Sequence, residues 1–276
     1  MHLVIDGDQM IFACGFAAEG EPDSHAFHLI NKKIDESLDK CGAKTYNVYI
    51  KGKGNFRDHV AVDYKATRTS RKPSNYEAIY QFLIDRHMAE PVDGMEADDK
   101  VSILLWEDFI SNGGERVILS SPDKDLKNTP GWHYNPMKQE LFWVSEKQAN
   151  RHFLYQMLVG DRTDNIPGLP SVPASVKKEF SLKSLKVGAA TAKKLMATTE
   201  GEEDALELVF RLYCEWGKSE ESDFETVVNY FYEQANLLWM VRELDADGDP
   251  VFYSHIAQKC LQLDNDKMRE IWNTLD

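Results

Sequence analysis

Residues 3–5 (Leu-Val-Ile) run directly into Asp6 and Gly7, and residues 117–119 (Val-Ile-Leu) run into Ser-Ser-Pro-Asp. Neither run alternates apolar with polar positions, so a strand formed by either is apolar on both faces. Strands of that kind need helices packed on both sides of their sheet, the arrangement of a parallel α/β layer. The surrounding pattern agrees. Strands are predicted over 2–6, 45–50 and 116–121, with two short ones near 132–135 and 141–144. Phe27, Ile30, Ile34 and Leu38 fall at helical spacing within 24–41, and Gly42 suits the stop. Further helices are predicted over 76–88 and 96–112. From Ser145 onward the pattern is almost wholly helical, over 146–159, 189–198, 203–216 and 223–243, before an irregular, partly apolar tail. The expected fold class is α/β: a mostly parallel central sheet flanked by helices, with a helical C-terminal extension. Residues 1–160 are expected to form the first domain and 161–276 the second.

The opening MHLVIDG has no basic leader, and the chain has no long apolar stretch, so neither a secretory signal nor a membrane span is expected. The cysteines at 14, 41, 214 and 260 follow no zinc-like spacing and read as reduced thiols, which points to the cytoplasm. A net charge of −14 argues against a simple nucleic-acid binder, but the charge is unevenly spread. Residues 51–72 carry seven basic side chains and 177–194 carry six, together 13 of the 32. An acidic chain with two basic segments and clustered carboxylates suggests that metal ions bring positive charge to a phosphate.

The carboxylates lie where a parallel sheet gathers its ligands, beyond the carboxyl ends of the strands. Asp6 ends the first strand. Glu96, Asp98 and Asp99 open a helix, Asp123 and Asp125 follow the third predicted strand, and Asp161 and Asp164 follow the helix ending at Gly160. Any one of these acids alone reads as a helix cap or turn residue. Four groups at successive strand and helix ends read as a site, because carboxylates crowded in one cleft repel until cations neutralise them. An all-oxygen donor set selects hard ions such as Mg²⁺ or Mn²⁺.

GMEADD (94–99), ILSSPDKDL (118–126) and VGDRTDNIPGL (159–169) follow one another, with IDGD (5–8) and DYKATR (63–68) upstream. In these motifs the chain resembles the flap-endonuclease superfamily of 5′ nucleases, nearest to the short bacteriophage 5′→3′ exonucleases and next to the 5′-nuclease domain of bacterial DNA polymerase I. The resemblance implies a PIN-like nuclease fold and a 5′→3′ exonuclease or flap endonuclease acting on DNA, or on RNA in RNA·DNA hybrids, in phage replication or primer removal. It implies two divalent ions. Asp6, Glu96, Asp98 and Asp123 match acids of the first metal site, Asp125, Asp161 and Asp164 those on the second-metal side, and Asp99 an acid of the same motif. Asp8 has no counterpart and reads as a turn residue or a neighbour of the ligands. Lys65 and Arg68 match basic residues that contact the scissile phosphate, at the base of an arch formed by 51–88. Arg57, Arg71 and Lys72 are expected to track the DNA backbone.

The resemblance also implies a helix-hairpin-helix-type module on duplex DNA, often with a monovalent cation such as K⁺. Gly168 lies in its first half and Gly188, Lys193 and Lys194 in its second. Between the halves stand 17 inserted residues, 171–187, expected to be mobile and to add non-specific affinity. The family's acid after the second strand is missing. Residues 49–57 read YIKGKGNFR, and Gly52 is the nearest position. One ion is therefore expected to bind weakly without substrate. Phe231, Leu238 and Trp239 read as helix core rather than a stacking platform. The alternatives are an RNA-cleaving relative and a catalytically weak or dead structure-specific DNA-binding protein, against which the retained acids argue.

Overall fold

A computed structural model of the chain describes residues 1–68, 71–260 and 263–275, apart from the side chains of 259 and 260. Strands β1 (His2–Asp6), β2 (Thr45–Lys51), β3 (Glu90–Val92), β4 (Val117–Ser120), β5 (Gly131–Asn135) and β6 (Glu140–Val144) form one sheet in the order β3-β2-β1-β4-β5-β6. Every pairing is parallel except β5 with β6. Among the described residues the helices are α1 (Gly7–Ala17), α2 (Asp23–Cys41), α3 (Arg57–Val60), α4 (Tyr76–His87), α5 (Ala97–Asn112), α6 (Glu146–Val159), α7 (Ala174–Glu179), α8 (Ala189–Met196), α9 (Glu202–Ser219), α10 (Phe224–Leu238), α11 (Tyr253–Cys260) and α12 (Asn265–Asn273).

The chain divides into two compact units. The sheet unit holds 1–56, 69–149 and 240–250. Side chains alternate across β1, so Leu3 and Ile5 enter one apolar layer with Ile11, Ile34, Ile79 and Leu83, while Val4 enters the other with Val101, Leu105, Leu119 and Met240. Both faces of the central strands are thus buried, as their unbroken apolar runs require. The helical unit holds 57–68, 150–239 and 251–276 around a core that includes Phe153, Met157, Leu195, Phe231, Leu238 and Trp239.

The predicted fold class holds, and several details differ. Helix α1 begins directly at Gly7 and buries Met10, Ile11 and Cys14. It shows no clear one-sided apolar stripe, which is why helical spacing does not reveal it. Strand β3 has three residues including Pro91 and lies at the sheet edge, where proline is tolerated. The predicted helix over 223–243 stops at Leu238, and 240–250 return to the sheet unit. The irregular tail contains α11 and α12. The units exchange chain near Ala149 rather than at 160, and 57–68 belong with the helices. Among the described residues no helix is long and apolar enough to cross a membrane. Cys14, Cys41 and Cys214 are free and buried, and the side chain of Cys260 lies outside those described.

Candidate functional site

In the sheet unit, Asp6 ends β1 and caps α1, accepting the Gln9 N–H at 3.4 Å. Asp123 lies three residues past the end of β4, and α5 starts just beyond β3, so Glu96, Asp98 and Asp99 begin at the same carboxyl edge of the sheet. Ser121 joins two of these acids: its hydroxyl donates to Asp6 Oδ2 at 3.0 Å and accepts the Asp123 N–H at 3.1 Å. Gln9 Nε2 donates to Asp123 Oδ2 at 3.3 Å. Asp6 is 4% exposed. Burial pushes its pKa up to about 7, and the charges of Asp8 and Asp123 push the same way against the Ser121 hydrogen bond. A carboxyl so placed is one that a cation would return to its ionised form.

The other acids are more constrained. Asp98 Oδ1 accepts the Asp99 N–H at 2.8 Å. Asp99 is fully buried; it accepts the Glu96 N–H at 3.2 Å through Oδ2 and the Val241 N–H at 3.1 Å through Oδ1. Its observed work is to fix the start of α5 and the returning 240–250 segment. Asp125 pairs with Lys124 at 2.9 Å and donates its N–H to Asp123 Oδ1 at 2.9 Å. The donor set is all oxygen, which fits a hard divalent cation in chemistry. As placed, no three His, Cys, Asp or Glu side chains among the described residues are grouped closely enough to share one metal ion.

The end of β2 explains the missing acid. A Cβ at Gly52 would overlap Asp93 Oδ1 and the Val92 carbonyl oxygen, so no side chain fits there. Carboxylates reach this tip from elsewhere: Asp8 Oδ1 accepts the Lys51 N–H at 2.9 Å, and Asp93 Oδ1 accepts the Lys53 N–H at 2.7 Å. Asp8 is thus more than a turn residue, and its partner lies 43 positions away, beyond the reach of local pattern. Ser121 and Gln9 were likewise not legible as positioning groups.

In the helical unit, Asp161 Oδ1 accepts the N–H groups of Thr163 at 2.7 Å and Asp164 at 3.3 Å. Asp164 meets three side chains of the 57–68 segment: Arg68 Nη2 at 2.6 Å, Lys65 Nζ at 3.6 Å and the Tyr64 hydroxyl at 3.4 Å. Lys65 has a left-handed backbone (φ 56°), and its N–H donates to the Asp164 carbonyl at 2.9 Å. Gly188 is exposed at the start of α8, with open space around its Cα, and Lys193 is exposed. Lys194 is exposed too and donates to the Ser181 carbonyl at 3.0 Å.

Three expectations are corrected. Arg57 does not track a DNA backbone: it is wholly buried and donates to the carbonyls of Leu237 at 3.0 Å and Trp239 at 2.7 Å. The Gly168 N–H is not offered to phosphate, because Gly168 is buried and donates to Gln234 Oε1 at 2.9 Å. Glycine is demanded there for packing: its backbone is left-handed (φ 68°), and any Cβ would collide with the Gly160 nitrogen. The inserted segment is built in, through α7, buried Val172, Val176 and Leu182, and a two-pronged Arg211–Glu179 pair. Arg71 and Lys72 are exposed and pair with Glu19 at 3.2 Å and Glu77 at 3.6 Å.

No protein-family model matches the chain. It is 24% identical over 190 residues to a 5'-3' exonuclease of Buchnera aphidicola subsp. Schizaphis graminum, covering 62% of this chain and 66% of that protein. It is 37% identical over 89 residues to a 5'-3' exonuclease of Aquifex aeolicus, covering 29% and 30%. The chain thus spans just under two thirds of the length of the first of these relatives and less of the second. Its fold is similar to the flap endonuclease of bacteriophage T5 in a complex with DNA and metal ions, with a TM-score of 0.51 and 15% identity over 99% of both chains. It is similar also to the catalytic core of Rad2 in complex with DNA substrate, with a TM-score of 0.50 and 12% identity over 100% of this chain and 92% of that one. In sequence the chain thus resembles 5'-3' exonucleases, and in fold it is similar to a flap endonuclease and to the Rad2 catalytic core.

Proposed function

We propose that the protein is a metal-dependent 5′→3′ exonuclease and flap endonuclease that hydrolyses DNA phosphodiester bonds. The observation that carries this reading is the acid pair at the tips of β1 and β4. Asp6 and Asp123 share Ser121 and Gln9, and Asp6 is buried among like charges. Asp6, Glu96, Asp98 and Asp123, which do not converge as placed, would be drawn together around a divalent cation, Mg²⁺ or Mn²⁺. The count of two ions, with Asp125, Asp161 and Asp164 as further acids, is part of the same proposal. Divalent ions supply Lewis acidity and charge neutralisation for phosphoryl transfer. The chain's own groups do the rest. Ser121 and Gln9 orient the acids, Asp8 adds negative charge beside Asp6, and Lys65 and Arg68 meet the phosphate. A cation there stabilises charge developing on the phosphate oxygens. Gly188 at the exposed N-terminus of α8, Lys193 and Lys194 in its last turn, and K⁺ as a further ligand fit duplex backbone.

The test is cleavage of 5′-labelled nicked, flapped, blunt and RNA·DNA hybrid duplexes with Mg²⁺ or with EDTA. Mg²⁺-dependent release of products from the 5′ end is expected. Tight binding without cleavage in any metal would leave a structure-specific DNA-binding protein.

A further inference from the structure

Lys65 and Arg68, the two cations assigned above to DNA phosphate, both already face the carboxylate of Asp164. The contacts are charge contacts rather than well-directed hydrogen bonds. Lys65 Nζ stands 3.6 Å away, and Asp164 Oδ1, although 2.6 Å from Arg68, has no properly oriented hydrogen-bond partner. The backbone around them is held independently. The Lys65 N–H donates to the Asp164 carbonyl, the Asp164 N–H to Asp161 Oδ1, and Asn165 Nδ2 to the Asp63 carbonyl at 2.9 Å. The two cationic ends can therefore leave the carboxylate without releasing the segment. Arg68 is accessible, its side chain 43% exposed against 17% for Asp164. A carboxylate gripped by a Lys and an Arg is matched in charge and donor geometry by a phosphodiester.

We propose that Asp164 stands in for a DNA phosphate in the free protein. Its carboxylate holds Lys65 and Arg68 in a phosphate-ready arrangement, and DNA takes them from it. This rests on the reading that the protein binds DNA and adds a competitor within the binding surface. The consequence is a handover. DNA gains two cations only as Asp164 loses them, so the carboxylate lowers DNA affinity by more than its bare negative charge would. The cost is greatest without divalent cations, when nothing else offsets the released carboxylate.

The experiment is fluorescence anisotropy of a labelled 5′-flapped duplex in EDTA, with Asp164→Asn compared against Asp161→Asn, which removes an equal charge in the same turn. Asp164→Asn should tighten binding about two- to fivefold more than Asp161→Asn, the size of a partly exposed ion pair. In a Lys65→Met/Arg68→Met background that excess should vanish. Equal tightening by both substitutions overturns the proposal, and so does an excess that persists without the two cations. Asp164→Ser, which still offers an oxygen to Tyr64, carries the same expectation if the asparagine variant does not fold. Wild-type protein that binds no DNA of any form overturns the nuclease reading, and this inference with it.

Discussion

The Ser121 hydroxyl donates to Asp6 Oδ2 at 3.0 Å while its oxygen receives the Asp123 N–H, so one small side chain sets the spacing of two acids from different strands. On the proposed reading Asp123→Asn removes a ligand charge and leaves the turn intact. Cleavage should fall below about a tenth of the wild-type rate, with DNA binding kept or tightened. A folded variant retaining more than that rate would show that Asp123 touches no ion.

Asp6 and His133 titrate in opposite senses over one pH window. Asp6 is raised to about 7, so the folded chain keeps a proton that the unfolded chain releases near 3.8. In metal-free protein this lowers stability as pH rises from about 4 to 7. Burial lowers His133 from 6.5 to about 4, so its contribution is present above 6.5 and lost as pH falls towards 4. The two offset in the wild type. Asp6→Asn leaves His133 unopposed. Its metal-free unfolding free energy, measured by urea titration, should drop more steeply than that of wild type as pH falls from about 7 to about 4, by up to about 1.4 kcal/mol per pH unit. Parallel curves would mean that Asp6 is ionised throughout.

Lys65→Ala should lower turnover far more than affinity, because a cation at the scissile phosphate acts on charge that develops in the transition state. Single-turnover kinetics with a separately measured Kd separate the two. A change confined to Kd would reduce Lys65 to a backbone contact.

Arg57→Met should destabilise the helical unit by about 3 kcal/mol or more, since it leaves the Leu237 and Trp239 carbonyls buried without their donor. Urea unfolding measures it. A loss of DNA affinity with unchanged stability is the outcome that contradicts the burial of this side chain.

Deleting 171–187 should destabilise the protein, because Val172, Val176 and Leu182 leave the core with it. The basic character of the segment is better tested by Lys183→Ala with Lys186→Ala. Each lysine that truly meets phosphate should reduce the salt slope of duplex binding by about 0.9. An unchanged slope would place both in solvent alone.

How far the fold was legible follows from what carried the signal. β1, β2 and β4 announce themselves by apolar runs closed by turn residues, and Asp6 and Asp123, at the end of β1 and past the end of β4, come with them. α1 did not, because a helix buried beneath the sheet loses its polar face. Arg57 looked like a DNA contact because charge in a basic segment is normally solvated. The carbonyls of Leu237 and Trp239, 180 and 182 positions on, help to make its burial tolerable. Gly52 looked like a lost ligand because alignment counts positions along one strand, whereas Asp8 reaches that tip from the first turn of α1. Helical spacing ran past Leu238 because nothing in the apolar pattern of 239–243 distinguishes a continued helix from an extended return.

That return has a consequence for synthesis. Met240 completes one apolar layer of the sheet unit, the Val241 N–H satisfies Asp99, and the Arg242 guanidinium bonds the Asn128 carbonyl. On a ribosome these groups emerge after every strand of the sheet has been made. Until then the nascent sheet unit carries a gap in that layer and an Asp99 oxygen without its Val241 partner. The sheet unit therefore cannot finish folding while its own strands are being translated, and must wait until residues 240–250 have left the exit tunnel.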